Sequence, residues 1–390
     1  MKWTNKGHEY DDMYQKIIAK DSFYLFGAGD FGNLFYEIFD NKLPFIAYID
    51  NDKKKQGTVI NGLNCISLED AKLDEKHAII LTMSQFARVA TIEQLKAKGL
   101  KRNEDFFIIE EFLSVYFSYK YEKVYMTAIS FLPSTICNLN CKNCLNFNPF
   151  AKEFYVRELE DLKHDVDLFF KCVDKIMLFH VSGGEPMLYK HIAELIEYID
   201  ENYGDRIGVL RTVTNGTVVP KDEILEVLAK CNVEVTVDDY REAVPRFNDR
   251  FDKLISKFDE YGIKYYINKA DAWIDLAPDR TDYSDKSEEW LINHRDSCGQ
   301  SWEELRDGKL YSCNYAAYAT VAGIAGEQDI EESYDLNQFT LENRNELIEF
   351  RLGYTNKGYT NFCKKCRGFT PENNVTEKPA VQTEVTMGNR

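Results

Sequence analysis

Cys137-Asn138-Leu139-Asn140-Cys141-Lys142-Asn143-Cys144 lies just beyond an apolar run, Tyr125–Phe131, that reads as a β-strand. The spacing is CxxxCxxC on one loop. Three thiolates so placed can hold three corners of a [4Fe–4S] cube and leave one iron without a protein ligand. An open coordination position distinguishes a reactive metal centre from a sealed one. A closed zinc site, the alternative, takes four ligands, and no His adjoins these three cysteines.

Working outward, strands and amphipathic helices alternate. Ile176–Val181, Ile207–Thr214, Val233–Val237 and Ile263–Ile267 read as strands. Between them run apolar stripes at helical spacing: Leu159, Leu162, Val166, Phe169, Val173; then Leu188, Ile192, Leu195, Ile199; then Phe247, Phe251, Leu254, Phe258. Repeated strand–helix units with polar motifs at strand ends imply a parallel sheet, closed or partly closed as a barrel, with its site at the carboxyl ends. Three such motifs follow the cysteines: Ser182-Gly183-Gly184-Glu185-Pro186, Thr214-Asn215-Gly216-Thr217 and Thr236-Val237-Asp238-Asp239. Glycine lets a backbone approach its neighbour closely. Thr236 and Asp238 also fit capping of the next helix.

In this order the motifs resemble those of the radical SAM superfamily. That likeness implies a [4Fe–4S] cluster on Cys137, Cys141 and Cys144, with S-adenosylmethionine chelated at its open iron. Gly183, Gly184, Glu185, Thr214, Asn215 and Thr236 would contact the cofactor. Reductive cleavage would give methionine and a 5′-deoxyadenosyl radical, which abstracts hydrogen from substrate. The expected reductant is a flavodoxin or ferredoxin. Asn143 stands where many members carry an aromatic residue. As bases that could complete an oxidation, Asp238 is the first candidate, with Asp239 and His180 behind it.

A second cysteine set lies towards the C-terminus. Cys298, nine residues, Gly308, four residues and Cys313 precede a CxxC, Cys363-Lys364-Lys365-Cys366. Asp307-Gly308 suits a tight turn between short strands. Spacing alone leaves zinc and iron–sulfur open. The pattern resembles a twitch subdomain, the shortened SPASM extension, which implies one auxiliary [4Fe–4S] cluster with all four corners filled. Cys65, Cys172 and Cys231 stand alone and read as small core residues.

The N-terminal part is a separate α/β pattern. Phe23–Phe26 is followed by Gly27-Ala28-Gly29-Asp30-Phe31-Gly32, a helix, and a strand, Phe45–Ile49, ending at Asp50. Gly27, Gly29, Gly32 and Asp50 are the parts of a dinucleotide fingerprint. Ile79–Leu81 and Phe106–Ile109 read as further strands, with a helix near Gln85 to Lys98, before an irregular aromatic stretch at residues 110–122. The domain is short for two mononucleotide halves. It resembles small Rossmann-like domains attached to enzymes that modify nucleotide-linked sugars, which implies a nucleotide site; a purely structural or oligomerising domain is the alternative.

The resulting expectation is an α/β chain of three parts and a tail. A Rossmann-like parallel sheet spans 1–118, a partial (βα)6 radical SAM barrel 119–285, a loop-rich twitch domain 286–371, and a disordered tail 372–390. The chain has 390 residues, 44% hydrophobic and 29% charged, with a formal net charge of −17. That sign opposes nucleic-acid binding. No run is long enough to span a membrane, and no N-terminal apolar stretch suggests export, so a cytoplasmic protein is expected. Ten cysteines, seven of them in two groups, suit metal ligation in a reducing compartment. The function implied is hydrogen abstraction from a sugar or nucleotide-linked sugar in surface polysaccharide biosynthesis. The alternative is a maturase acting on a ribosomally made peptide. A non-catalytic scaffold is a third class, opposed by the intact cysteine and glycine motifs.

Overall fold

The apolar runs of the N-terminal part are buried along nearly their whole length in the computed structural model, which describes residues 1–39, 42–83, 85–299 and 302–383. The chain divides into two units, one made of Thr4–Thr127 with Leu341–Leu352. Its elements are α1 (Asp11–Ile18), β1 (Ser22–Phe26), α2 (Asp30–Phe39), β2 (Phe45–Ile49), β3 (Val59–Ile60), β4 (Leu63–Ile66), β5 (His77–Leu81), α3 (Gln85–Ala97), β6 (Phe106–Ile108) and α4 (Ile109–Tyr121). The sheet order is β3-β4-β2-β1-β5-β6. All neighbours are parallel except the β3–β4 hairpin. Without β3, the order reverses beside β1, as in doubly wound sheets, and leaves a crevice at the strands' carboxyl ends.

Two expectations fail here. The stretch read as irregular is helix α4, whose Ile109, Phe112, Leu113, Val115, Tyr116 and Phe117 are all buried. A helix buried on most sides shows no polar stripe, so its period is invisible in sequence. The boundary near residue 118 falls inside that helix, and the chain leaves this unit at Thr127 instead.

The other unit comprises Met1–Trp3, Ala128–Thr340 and Gly353 onward. Its elements are β7 (Tyr125–Phe131, whose first residues belong to the other unit), α5 (Leu159–Cys172), β8 (Lys175–Val181), α6 (Ile192–Tyr203), β9 (Ile207–Thr214), α7 (Asp222–Lys230), β10 (Glu234–Asp238), α8 (Asn248–Tyr261), β11 (Tyr265–Asn268), β12 (Trp273–Ile274), α9 (Glu288–Asp296), β13 (Glu304–Arg306), β14 (Lys309–Tyr311), α10 (Asn314–Val321), β15 (Ser333–Asp335) and β16 (Thr376–Glu377). The main sheet runs β11-β10-β9-β8-β7-β13-β14-β15. Among the described residues the strand–helix series stops at five strands, β7 to β11, rather than six. The far edge of β7 is instead covered by β13, which pairs at Glu304↔Ser130 and leads into the antiparallel β14 and β15.

Residues 286–371 do not form a unit of their own. Most of them belong to the same unit as the strand–helix sheet, while Leu341–Leu352 belongs to the N-terminal unit. The segment beyond residue 371 is ordered as far as Thr383: β16 pairs with β12, and Gln382 bridges to Cys141. Residues 384–390 lie outside the described residues. The stripes on α5 and α8 face inward, but Leu188 precedes α6 in a short 3-10 turn and is exposed. Among the described residues no helix is long and apolar enough to cross a membrane.

A buried carboxylate ties α5 to the turn between β13 and β14. Asp307 and Gly308 both take left-handed backbone angles, φ 55° and 71°, making the two-residue turn between β13 and β14. Asp165 on α5 accepts from the N–H of Asp307 at 2.9 Å and of Gly308 at 2.7 Å, and pairs with Arg157. Both members of the pair are buried. Asp165→Ala should therefore destabilise the protein by about 3–5 kcal/mol, since it strands a buried guanidinium. Denaturant unfolding checks this, and a loss below about 1 kcal/mol would refute it.

Candidate active site

The carboxyl ends of β7 to β11 converge on a cavity of about 350 Å³. Cys137, Cys141 and Cys144 form part of its wall, with Gly183, Gly184, Thr214, Asn215 and Asp238. The glycine pair is explained by its neighbour. A Cβ on Gly184 would lie 2.3 Å from the Thr135 carbonyl oxygen and 2.4 Å from that of Ile136. The N–H of Gly184 donates to Ser134 O at 3.0 Å, and that of Glu185 to Ile136 O at 2.6 Å. The motif after β8 thus clamps the cysteine loop through its backbone.

Glu185 does not reach the cavity. It is fully buried, accepts from Asn215 N at 2.7 Å and Met187 N at 3.2 Å, and burial pushes its carboxyl up to about 7. Its visible work is to join the turn after β8 to the turn after β9. Asn215 continues that chain. Its Oδ1 accepts from the backbone and hydroxyl of Thr217, which orients its Nδ2 towards Asn138 Oδ1 at 3.1 Å and Cys137 Sγ at 3.7 Å. Thr236 lies one pleat below Asp238, buried within β10 and away from the cavity wall.

Asp238 faces the cavity with both oxygens engaged, by Asn268 Nδ2 at 2.7 Å and Tyr240 OH at 2.8 Å. Burial raises it above the usual carboxylate range despite those donors. Asp239 points to Arg241 instead, and that ion pair lowers it. His180 lines the cavity and meets Trp302 edge-on at 5.9 Å. Burial and Arg211 push it down to about 4, so its imidazole is neutral, and its Nδ1 has no partner.

Residues that carry no sequence motif complete the wall: Trp273, Trp302, Asn314, Tyr315 and Tyr318. Asn314 leaves its Oδ1 buried without a partner. Beneath, Tyr318 OH shares hydrogens with Ser130 Oγ at 2.5 Å and Glu304 Oε2 at 3.1 Å. For Asn314, Tyr315 and Tyr318 the one sequence signal is proximity to Cys313, which precedes α10. Asn143 turns elsewhere, to a separate cavity of about 250 Å³ that it lines with Phe147 and Leu276.

Both cysteine groups suit iron–sulfur ligation. All ten cysteines are free thiols, and burial pushes Cys141 and Cys313 up to about 12. Buried thiols so reluctant to ionise become thiolates when a cation replaces the proton. Cys298, Cys313, Cys363 and Cys366 come together around the buried Arg295 guanidinium, which faces the first three. A fixed positive charge there complements a thiolate-bound cluster. Gly368 donates to Cys366 Sγ at 3.3 Å, and its missing Cβ would sit 3.5 Å from Cys298 Sγ. Among the described residues no three His, Cys, Asp or Glu are gathered closely enough to hold a single metal ion. A cube spreads its thiolates over separate irons.

The radical SAM superfamily model matches residues 131–268, the stretch from the end of β7 to the end of β11. The chain carries a radical SAM domain. It is therefore an enzyme, with a [4Fe–4S] cluster and S-adenosylmethionine as the cofactors that the superfamily implies. An uncharacterized protein of Methanocaldococcus jannaschii is 30% identical over 149 residues, 35% of this chain and 31% of that protein. A GTP 3′,8-cyclase of Erythrobacter litoralis is 33% identical over 85 residues, 21% of this chain and 24% of the cyclase. The chain thus spans about a third or less of these relatives. The solved structure of anSMEcpe with bound AdoMet and Kp18Cys peptide superposes with a TM-score of 0.41 at 14% identity, covering 65% of this chain and 93% of that one.

In the N-terminal unit the fingerprint residues mostly serve the turn itself. Asp50 accepts from Ala28 N at 3.0 Å, Asp52 N at 2.9 Å and Lys55 Nζ at 3.0 Å. A Cβ on Gly32 would lie 2.1 Å from Gly27 O, whereas Gly29 faces open space.

Two outcomes follow for the radical SAM domain. Gly184→Ala should displace the cysteine loop and abolish iron binding at Cys137, Cys141 and Cys144; normal iron content would refute the clamp. Glu304, buried and pushed up to about 7, keeps a proton in the folded protein that the unfolded chain releases near pH 4.5. Its contribution therefore weakens as pH rises from about 4.5 to 7. Glu304→Gln should flatten that part of the stability–pH curve, measured by denaturant melts.

Proposed function

We propose that the enzyme cleaves S-adenosylmethionine reductively at a cluster on Cys137, Cys141 and Cys144 and abstracts hydrogen from a sugar or nucleotide-linked sugar in surface polysaccharide biosynthesis. Loaded with cluster and cofactor, the site supplies one-electron cleavage of a carbon–sulfur bond and, through it, hydrogen-atom abstraction. Cys298, Cys313, Cys363 and Cys366 hold an auxiliary cluster in a twitch-like segment.

The observation that carries the substrate reading is the pair of buried polar atoms on the cavity wall, His180 Nδ1 and Asn314 Oδ1, both without partners. An orphaned buried polar atom is costly, and a turn of the His180 imidazole or the Asn314 amide would bring it to a ligand hydroxyl in the cavity. Trp302 and Tyr315 on the same wall offer apolar faces for the C–H side of a sugar ring. Asp238 is the group placed to take a proton where abstraction ends in oxidation. In the N-terminal unit, taken by itself, the turn after β1 leaves room for a phosphate at Gly29.

The second reading, a peptide maturase, is favoured by a larger neighbouring cavity of about 620 Å³ that shares Tyr240 with the first and is lined by Lys269 and Lys378. A second cavity of that size beside the first suits a substrate longer than a single sugar.

The deciding experiment follows deuterium into 5′-deoxyadenosine from a panel of per-deuterated sugars and nucleotide diphosphate sugars. Transfer from one member supports the proposal; transfer from none, with S-adenosylmethionine cleavage intact, overturns the sugar reading. His180→Phe should reduce turnover of that substrate by roughly 10- to 100-fold, the worth of one hydrogen bond to a buried group. Slow substrate-free cleavage of the cofactor should persist in that variant.

A further inference from the structure

The C-terminal segment returns across the cysteine loop as a strap. Its start is fixed by the pairing of β16 with β12 and by an ion pair between Glu377 and Lys142 at 2.6 Å. The strap then runs alongside the loop. Lys142 N donates to Val381 O at 2.7 Å, Thr383 N donates to Asn140 O at 2.8 Å, and Asn140 Nδ2 donates to Thr383 O at 3.2 Å. Ala380 is fully buried against Leu139 and Cys141, and it takes a left-handed backbone angle, φ 55°. A non-glycine residue keeps that conformation only where its surroundings impose it.

At the end of the strap the side chain of Gln382 is fixed in every direction. Its Oε1 accepts from Asn140 N at 2.8 Å. Its Nε2 donates to Ala380 O at 2.7 Å and to Cys141 Sγ at 3.3 Å. A flipped amide would set its nitrogen against the Asn140 N–H and its oxygen against the Ala380 carbonyl, so the contact network allows one orientation only. One amide hydrogen is therefore aimed at the sulfur.

We infer that Gln382 is a positioning residue of the cysteine site, donating a hydrogen bond to the Cys141 thiolate and thereby holding up the reduction potential of the cluster bound there. This rests on the proposed cluster at Cys137, Cys141 and Cys144. A donor withdraws electron density from a ligating sulfur and so stabilises the reduced cluster, which carries one more negative charge. Cys137 receives comparable contacts from Leu139 N at 3.4 Å and from Asn215 within the strand–helix part of the fold. For Cys141 the donor comes from the far end of the chain. The strap thus couples the C-terminus to the ease with which an electron enters the site.

The test uses the full chain, reconstituted anaerobically with iron and sulfide, in wild-type, Gln382→Met and Gln382→Glu forms. The signal followed is the reduced-cluster electron paramagnetic resonance that S-adenosylmethionine perturbs, which separates this cluster from the auxiliary one. Methionine keeps the bulk and loses the donor; glutamate keeps the acceptor for Asn140 N and adds charge. The midpoint potential should fall in the order wild type, Met, Glu. The Met variant should shift by roughly three- to tenfold in the reduction equilibrium, tenfold being about 59 mV for one electron. A fully loaded Met variant with the wild-type potential overturns the inference.

A second measurement needs no variant. In wild-type protein labelled with 15N at the glutamine amide, pulsed resonance on the same signal should reveal a weak nitrogen coupling, and its absence also overturns the inference. Should wild type show no signal that responds to S-adenosylmethionine, the cluster assignment itself fails, an outcome distinct from either of these.

Discussion

The approach of Gly184 to the carbonyls of Thr135 and Ile136 is the contact on which the site depends. Backbone meets backbone there at a distance that leaves no space for a methyl group. The loop carrying three cysteines has little regular structure of its own, and a loop can hold a cluster only if something else fixes it. The turn after β8 does so through two backbone hydrogen bonds, the turn after β9 through Asn215 and Thr217, and the C-terminal strap through Val381, Gln382 and Thr383. Glu185, buried between the first two turns, makes them one piece.

This arrangement separates positioning from contact. Residues of the glycine motif sit on the cavity wall, but their spacing answers first to the needs of the neighbouring loop. The wall opposite is made of Trp302, Tyr315 and Tyr318, carried by the segment that also brings Cys313. One segment therefore carries both Cys313 and the aromatic part of the cavity wall. The neutral His180 and the half-satisfied Asn314 are the places where that surface asks for a partner.

The sequence was legible wherever chemistry is local. The cysteine spacings, the Gly-Gly-Glu and Thr-Asn-Gly turns and the Asp307-Gly308 hairpin each depend on residues a few positions apart, and each lies where its pattern indicates. Strands β1, β2 and β5 to β11 were legible because a buried parallel strand is a short continuous apolar run, whereas β3, β4 and β15, two to four residues long, were not. Helix α4 was not, since burial on most sides erases its period. The tail was not, since its polar residues look like a solvated terminus until their partners on the cysteine loop are known.

What the sequence by itself determined is the pair of cysteine sets, the order of the strand–helix units and the turns at their ends, all set by spacing and backbone conformation. Only the tertiary structure decided which residues face one another. It closed the β7 edge with β13 instead of a sixth strand–helix unit, turned Asp50 and Glu185 inward to hold loops, and brought Gln382 to Cys141 across 241 positions of sequence. Such contacts follow from how buried surfaces and hydrogen-bond donors are matched across the whole fold, and each includes a partner far away in sequence: Ala28 for Asp50, Asn215 for Glu185 and Cys141 for Gln382.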